Sequence, residues 1–173
     1  VIDYDRLTLG GGASYYVSFD NVAVGTKIGE GLVKCMQDNG DTTGAVVLLN
    51  GSPTDNNATL FKQGYEKVIK DAGYTIADDQ SVPDWDNTKA GTIFEQIYTK
   101  TDGKFQGVAA ANDGLGGAAI AVLAKNGLAG KVPVELFGRA PFPPIGDLPY
   151  FITLQPYGFY WFSLVDELDD DLR

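Results

Sequence analysis

The chain has 173 residues, 44% of them apolar and 21% charged, with a formal net charge of −10. That size suits one domain with its own core, and the acidic balance argues against a nucleic-acid backbone or an anionic membrane surface as partner, because both are bound through basic patches. One cysteine, Cys35, and no histidine exclude an internal disulfide, a CxxC site, zinc held by His or Cys, and Ser-His-Asp or Cys-His catalysis.

In chain order, "GGG" at Gly10 to Gly12 precedes a strand-like "SYYVSF" rather than a helix, so it reads as a turn and not as a phosphate loop. Residues 20–40 predict a helix with Val24, Ile28, Leu32, Cys35 and Met36 inward, Cys35 serving as a small buried apolar residue. "AVVLLNG" (45–51) is a continuous apolar run, as a buried parallel strand should be. A helix follows over 55–73, with Leu60, Phe61, Gly64, Val68 and Ala72 on one face and Gly73 as its stop. "YTIADDQSV" (74–82) predicts a second strand. Residues 86–100 predict a helix on Ala90, Ile93, Phe94 and Ile97. "FQGVAAAN" (105–112) predicts a third strand. A small-residue helix over 113–130 turns Leu115, Ala118, Val122 and Leu123 inward and closes at Asn126-Gly127, and "KVPVELF" (131–137) predicts a fourth strand. Helix then β-α-β-α-β-α-β implies an α/β, doubly wound, mostly parallel sheet. Further on, "YFITL" and "GFYWFSL" flank the turn "QPYG" and predict an antiparallel β-hairpin, approached through the Pro-rich "RAPFPPIGDLP". The aromatic residues Phe151, Tyr157, Phe159, Tyr160, Trp161 and Phe162 are expected to pack one face on the α/β body. "DELDDDLR" is a solvated acidic tail. No apolar run reaches the roughly 20 residues of a membrane span. No signal peptide is evident, and the start at Val1 is expected to reflect processing or excision from something larger.

In such sheets, ligands sit outside the carboxyl ends of the strands. There the sequence places its polar clusters, "NGSPTDNN", "SVPDWDN" and "AANDG". Asp55, Asp86 and Asp113 are equally readable as helix N-caps and as ligand contacts. Trp85, an indole between Asp84 and Asp86 in a polar loop, reads as a stacking platform. Carboxylates that accept, a guanidinium that donates and amides that do both suit a neutral polyhydroxyl ligand. No constellation demands acid–base catalysis, so the chain reads as a binding protein without cofactor or metal, not an enzyme.

The motifs "YDRL", "YYVSFDNVAVG", "GEGLVKC", "LNGSPTDNNATLFKQGY", "VPDWDN" and "AANDGL…GLAGKVPV", in this order and spacing, resemble the bacterial periplasmic sugar-binding proteins of ABC importers, of the D-xylose-binding type near the ribose-binding proteins. The resemblance spans residues 1–134. It implies the second lobe of a type I periplasmic binding protein, flavodoxin-like, entered through a hinge or crossover segment at 1–20, with the family's first lobe missing. It further implies a pentose such as xylose or ribose as ligand and an ABC permease as partner. The location implied is periplasmic or extracellular. Asp5 and Arg6 of "YDRL" match the family's sugar-binding pair, Asn56 or Asn57 its next loop, Trp85 its aromatic wall, and Asn112 with Asp113 a further contact. The family's Asp shortly after "KVPV" has no counterpart, which implies an incomplete site that binds weakly alone.

Residues 135–164 resemble a different family, the carboxyl-terminal β-domain end of bacterial trehalose synthases, a non-catalytic part of those amylase-family enzymes. The chain is therefore expected to be a chimera, natural or engineered, with its seam near Val134 and Glu135. In the alternative functional reading, the hairpin only completes the lobe and the chain has no ligand activity of its own.

Overall fold

The computed structural model describes residues 1–128, 130–146, 150 and 159–165. The chain opens with a two-stranded parallel ribbon, β1 (Ile2–Tyr4) and β2 (Tyr15–Val17), in which Ile2 pairs with Tyr15 and Tyr4 with Val17. Gly10 and Gly12, at φ of 75° and 70°, make the turn between them. Their left-handed backbone is one that glycine adopts without a Cβ penalty.

The body is a three-stranded parallel sheet in the order β4-β3-β5, formed by β3 (Ala45–Asn50), β4 (Thr75–Ser81) and β5 (Gly107–Ala110). Successive residues of β3 point to opposite faces. Val46 and Leu48 therefore enter one core, with Ile28, Leu32 and Met36 of α1 (Asn21–Asp38) and Tyr65 and Ile69 of α2 (Asn56–Asp71). Val47 and Leu49 enter the other, with Phe94 and Ile97 of α3 (Asn87–Thr101) and Leu115 and Val122 of α4 (Asp113–Leu123). This is the doubly wound arrangement expected from the alternation of elements. Among the described residues no helix is long and apolar enough to cross a membrane.

The helix faces follow the hydrophobic pattern at Ile28, Leu32, Met36 and Gly64 and depart from it at a few positions. Val24 is 38% exposed, and the inward row of α1 is Gly25, Ile28, Gly29, Leu32, Val33 and Met36. Cys35 is only half-buried. In α2 the deeply buried positions are Ala58, Gly64, Tyr65 and Ile69 rather than Leu60 and Phe61. The cause is backbone proximity. A Cβ at Gly25 would overlap the Phe61 backbone, and one at Gly64 would overlap the Val22 carbonyl and the Thr26 amide. The two helices meet through Gly64, already on the expected face, and Gly25, which a hydrophobicity pattern does not count, while Phe61, Val68 and Ala72 pack at the edge of the same core.

The expected fourth parallel strand is the main departure. Strand β6 (Val132–Glu135) is not hydrogen-bonded to β5 among the described residues; it pairs antiparallel with β7 (Phe162–Val165), Val132 opposite Val165 and Glu135 opposite Phe162. It ends two residues earlier than expected because the buried Glu135 carboxylate turns back to accept from the backbone N–H groups of Phe137 (3.1 Å) and Gly138 (2.5 Å). The Pro-rich stretch then doubles back along the other side of β6, with Glu135 N–H donating to the Ala140 carbonyl, Phe142 N–H to Pro133 and Ile145 N–H to Lys131. Strand β7 lies over α1, where Trp161 packs against the α1–α2 core and sits 3.4 Å from a Cβ position at Gly31. The expected partner strand of the hairpin from Phe151 onward, its turn (155–158) and the acidic tail (166–173) lie outside the described residues.

Candidate functional site

The carboxyl ends of β3 and β4 and the segment after β1 enclose a cleft of about 610 Å³, lined by Arg6, Leu7, Thr8, Leu9, Ser52, Thr54, Asp55, Asn56, Asp84 and Trp85. Each functional side chain is placed by a local backbone requirement. Asp55 is in extended conformation as N-cap of α2, its Oδ1 accepting from the Asn57 N–H at 2.9 Å. This satisfies one of the amides a helix leaves open. Asp84 and Trp85 follow β4 in a short turn and both have left-handed backbone, φ of 60° and 58°. Non-glycine residues rarely adopt it, and such strain concentrates at functional sites.

Trp85 is half-buried. Its ring packs on the α3–α4 core and lies over Gly51, where a Cβ would overlap the ring atoms. Its Nε1–H donates to Asp55 Oδ2 at 3.0 Å. The same oxygen receives Arg6 Nη1, also at 3.0 Å, and the Asp55 side chain is 7% exposed against 62% for Arg6. One carboxylate thus caps a helix, holds the edge of the indole and holds the guanidinium from the N-terminal segment. A buried carboxylate needs this degree of pairing.

The other expected residues separate into two groups. Asn56 lines the cleft. Asn57 is buried, and its side chain is spent within the protein. Its Nδ2 donates to the Asp5 carbonyl at 3.0 Å, and its Oδ1 accepts from Asn21 Nδ2 at 3.2 Å and from the Tyr16 hydroxyl at 3.3 Å. The Asp5 carbonyl also accepts from the Ser18 hydroxyl at 2.7 Å. Asp5 itself has φ of 66°. Asn57 therefore ties the ribbon to the body and presets where Arg6 starts.

Asn112 and Asp113 stand after β5 and do not line this cleft. Asn112, not Asp113, is the N-cap of α4; its Oδ1 accepts from the Leu115 N–H at 2.8 Å, while Asp113 is the first helical residue. Asp86 caps α3, and the N–H groups of Lys89 and Thr88 hold its carboxyl below the usual range against a smaller opposing effect of burial. Ser52, Thr54 and Asp84 are cleft residues that the sequence marked only as members of polar loops. The dual role of Asp55 had a partial signal in its capping position; its contact with Arg6 is long-range and has none.

Residues 1–142 match the periplasmic binding protein domain family. The D-xylose-binding periplasmic protein of Escherichia coli (strain K12) is 38% identical over 139 residues, which is 78% of this chain and 41% of that protein. The chain thus spans about two fifths of the length of this curated relative. An ABC transporter periplasmic solute binding protein from Actinobacillus succinogenes 130z, solved with bound D-allose, matches with a TM-score of 0.64 at 26% identity, over 75% of this chain and 46% of that one. A stretch of 37 residues is 62% identical to the trehalose synthase of Pimelobacter sp. (strain R48), covering 21% of this chain and 6% of that enzyme.

Proposed function

The chain belongs to the periplasmic binding protein domain family, and from that premise we propose that it forms the second lobe of a sugar receptor. In this reading it takes a pentose such as xylose or ribose in the cleft between Arg6 and Trp85, for import from the periplasm or extracellular space by an ABC permease. The observation that carries the reading is the pairing of an indole wall with a guanidinium on one buried carboxylate, at the carboxyl ends of parallel strands. The indole offers a flat apolar face to the C–H groups of a sugar ring, and Arg6 donates to its hydroxyls in a planar fork. Asn56 and Asp84 add an amide and a carboxylate at the rim. Asp5, Asn112 and Asp113 are assigned as contacts on the flanks, and Asn57 as the tie that holds Asp5 in place.

Residues 1–134 are assigned to the lobe, with 1–20 as its hinge segment and 135–164 as the segment of the second lineage. The ribbon leaves Ile2, Tyr4, Tyr15 and Val17 exposed. Parallel sheets are ordinarily covered on both faces, and a first lobe is the proposed cover. Since that lobe supplies the opposite wall of the cleft, binding by this chain alone is weak.

A second reading is favoured by the antiparallel pairing of β6 with β7 and by Trp161 on α1. In it, the trehalose-synthase-like segment completes the lobe structurally and no ligand is bound. Calorimetric titration of D-xylose, D-ribose and trehalose into the full chain separates the two. Xylose binding at up to millimolar concentration that Trp85→Ala abolishes supports the receptor reading. No heat from any sugar at millimolar concentration leaves the structural one.

A further inference from the structure

We propose that the outward face of the N-terminal ribbon is an interface between two copies of this chain. Paired residues of neighbouring strands share a face, so the register puts Ile2, Tyr4, Tyr15 and Val17 together on one side and Asp3 and Tyr16 on the other. The Tyr16 hydroxyl donates to Asn57 Oδ1 at 3.3 Å, so its side faces the body. Ile2, Tyr4, Tyr15 and Val17 point away from the body and are 64%, 77%, 70% and 54% exposed. None of the four carries a charge, although the chain has a net charge of −10. Exposure is also concentrated rather than scattered: of the thirteen large apolar side chains exposed among the described residues, ten lie between Val1 and Val24.

Area, shape and strand number favour a second copy as the occupant. The four side chains leave on the order of 600 Å² uncovered. That is the upper end for the largest apolar patch of a monomer, and it approaches the roughly 800 Å² that each partner buries in a standard interface. The face is also its own complement. Ile2 lies opposite Tyr15 and Tyr4 opposite Val17, so the two tyrosines occupy one diagonal and the two aliphatic residues the other. A two-fold axis lying in the face, along the strands or across them, sets each tyrosine over an aliphatic residue of the other copy. Tyrosine and aliphatic groups without charge are what the centre of an interface contains. A two-stranded ribbon is marginal by itself, whereas two ribbons face to face supply four strands around one apolar layer. In a whole receptor the proposed first lobe covers this face; the interface inferred here is that of the 173-residue chain by itself and does not depend on the sugar-receptor reading. Strand β1 leads into Arg6, Leu7, Thr8 and Leu9, which line the cleft, so a copy seated on the ribbon also steadies that wall.

The test is sedimentation velocity of the full chain at concentrations from about 1 to 100 µM. The mass is expected to rise with concentration from the monomer's 18.5 kDa towards twice that value. Tyr15→Glu places a charge in the middle of the face at an exposed side chain. It is expected to raise the dissociation constant at least about tenfold and to leave the circular dichroism spectrum unchanged. Phe137→Glu, at an exposed aromatic residue outside the ribbon, is expected to leave the dimer intact. Hydrogen exchange of the parent is expected to slow at the amides of residues 1–17 as concentration rises. A chain that stays at 18.5 kDa throughout overturns the proposal and leaves the face to a different partner. So does a dimer that Tyr15→Glu leaves intact or that Phe137→Glu dissolves equally. If Tyr15→Glu fails to fold, the parent decides: exchange in residues 1–17 that does not respond to concentration overturns the interface. Calorimetry with D-xylose reads the receptor proposal separately, so a chain that dimerises through this face without binding sugar upholds this inference and sinks that one.

Discussion

The indole of Trp85 lies against the backbone of Gly51 so closely that a methyl group on Gly51 would overlap the ring. Gly51 is buried and its neighbour Asn50 is anchored to β4 through Asp79, so the backbone has little room to retreat. Gly51→Ala is therefore expected to destabilise the chain by about 1–3 kcal/mol, as overpacking does. It is also expected to change the emission of Trp85. Unfolding by urea followed through tryptophan fluorescence reads both, and an unchanged midpoint with unchanged emission would refute the close packing.

Asp78 gives a pH signature. Burial pushes its carboxyl up, but hydrogen bonds from Gln80 Nε2, Lys100 Nζ and the Asp79 N–H together outweigh that and hold it below the usual range. A lowered native pKa means stability that is present above the ordinary aspartate value of about 3.9 and is lost as pH falls through the native value. Asp78→Asn is expected to cost about 1 kcal/mol near neutral pH. The gap to the parent is expected to close below about pH 4. Urea midpoints in neutral and acidic buffer measure it; a gap of constant size would show that the charge is not the cause.

Trp161 separates size from polarity. Its ring packs on the α1–α2 core, yet its Nε1 is buried with no hydrogen-bond partner among the described residues. Trp161→Ala is expected to cost about 2 kcal/mol through lost burial. Trp161→Phe keeps most of the ring and removes an unsatisfied donor, a group that costs about 1–3 kcal/mol when left buried, so its net effect is expected to be near zero. Differential scanning calorimetry of the pair tests this. Equal losses for both variants would mean that the indole nitrogen is satisfied.

Cys35 should be slow to react. Burial under β7 raises its thiol pKa, with a smaller lowering effect from Ser163 and a further rise from Asp38 and Asp41. The thiolate is the reactive form, so Ellman's reagent is expected to label the native chain at least about tenfold more slowly than the urea-unfolded chain. Equal rates would place the thiol in open solvent.

The sequence carried the order of the central elements because β3 was a continuous apolar run and each helix had a stop or a cap, as Asp55 and Asp86 show. It placed Ile28, Leu32 and Met36 of α1 and Gly64 of α2 on the inward faces but overestimated the burial of Val24 and missed Gly25, because glycine has no weight in a hydrophobic pattern. Tyr65 was overlooked on α2 since its polar end marks it as a surface residue, whereas its hydroxyl is paired inside with Asn50 Oδ1. Of the residues singled out in the sequence, Trp85, Arg6 and Asn56 meet in one cleft. The convergence of Arg6 on Asp55 is a long-range contact that local spacing does not encode. The course of β6 was hidden for a similar reason, since an apolar run states burial but not the direction of its partner strand.

The placement of Trp161 over Gly31 sets a timetable for folding. The outer face of α1 at Gly31 meets its cover in Trp161, a residue far later in the sequence. Contacts so distant in sequence close late, after their loop entropy has been met. Until that segment docks, α1 carries an uncovered strip at Gly31 and Cys35, so the folding chain is exposed to aggregation over that interval.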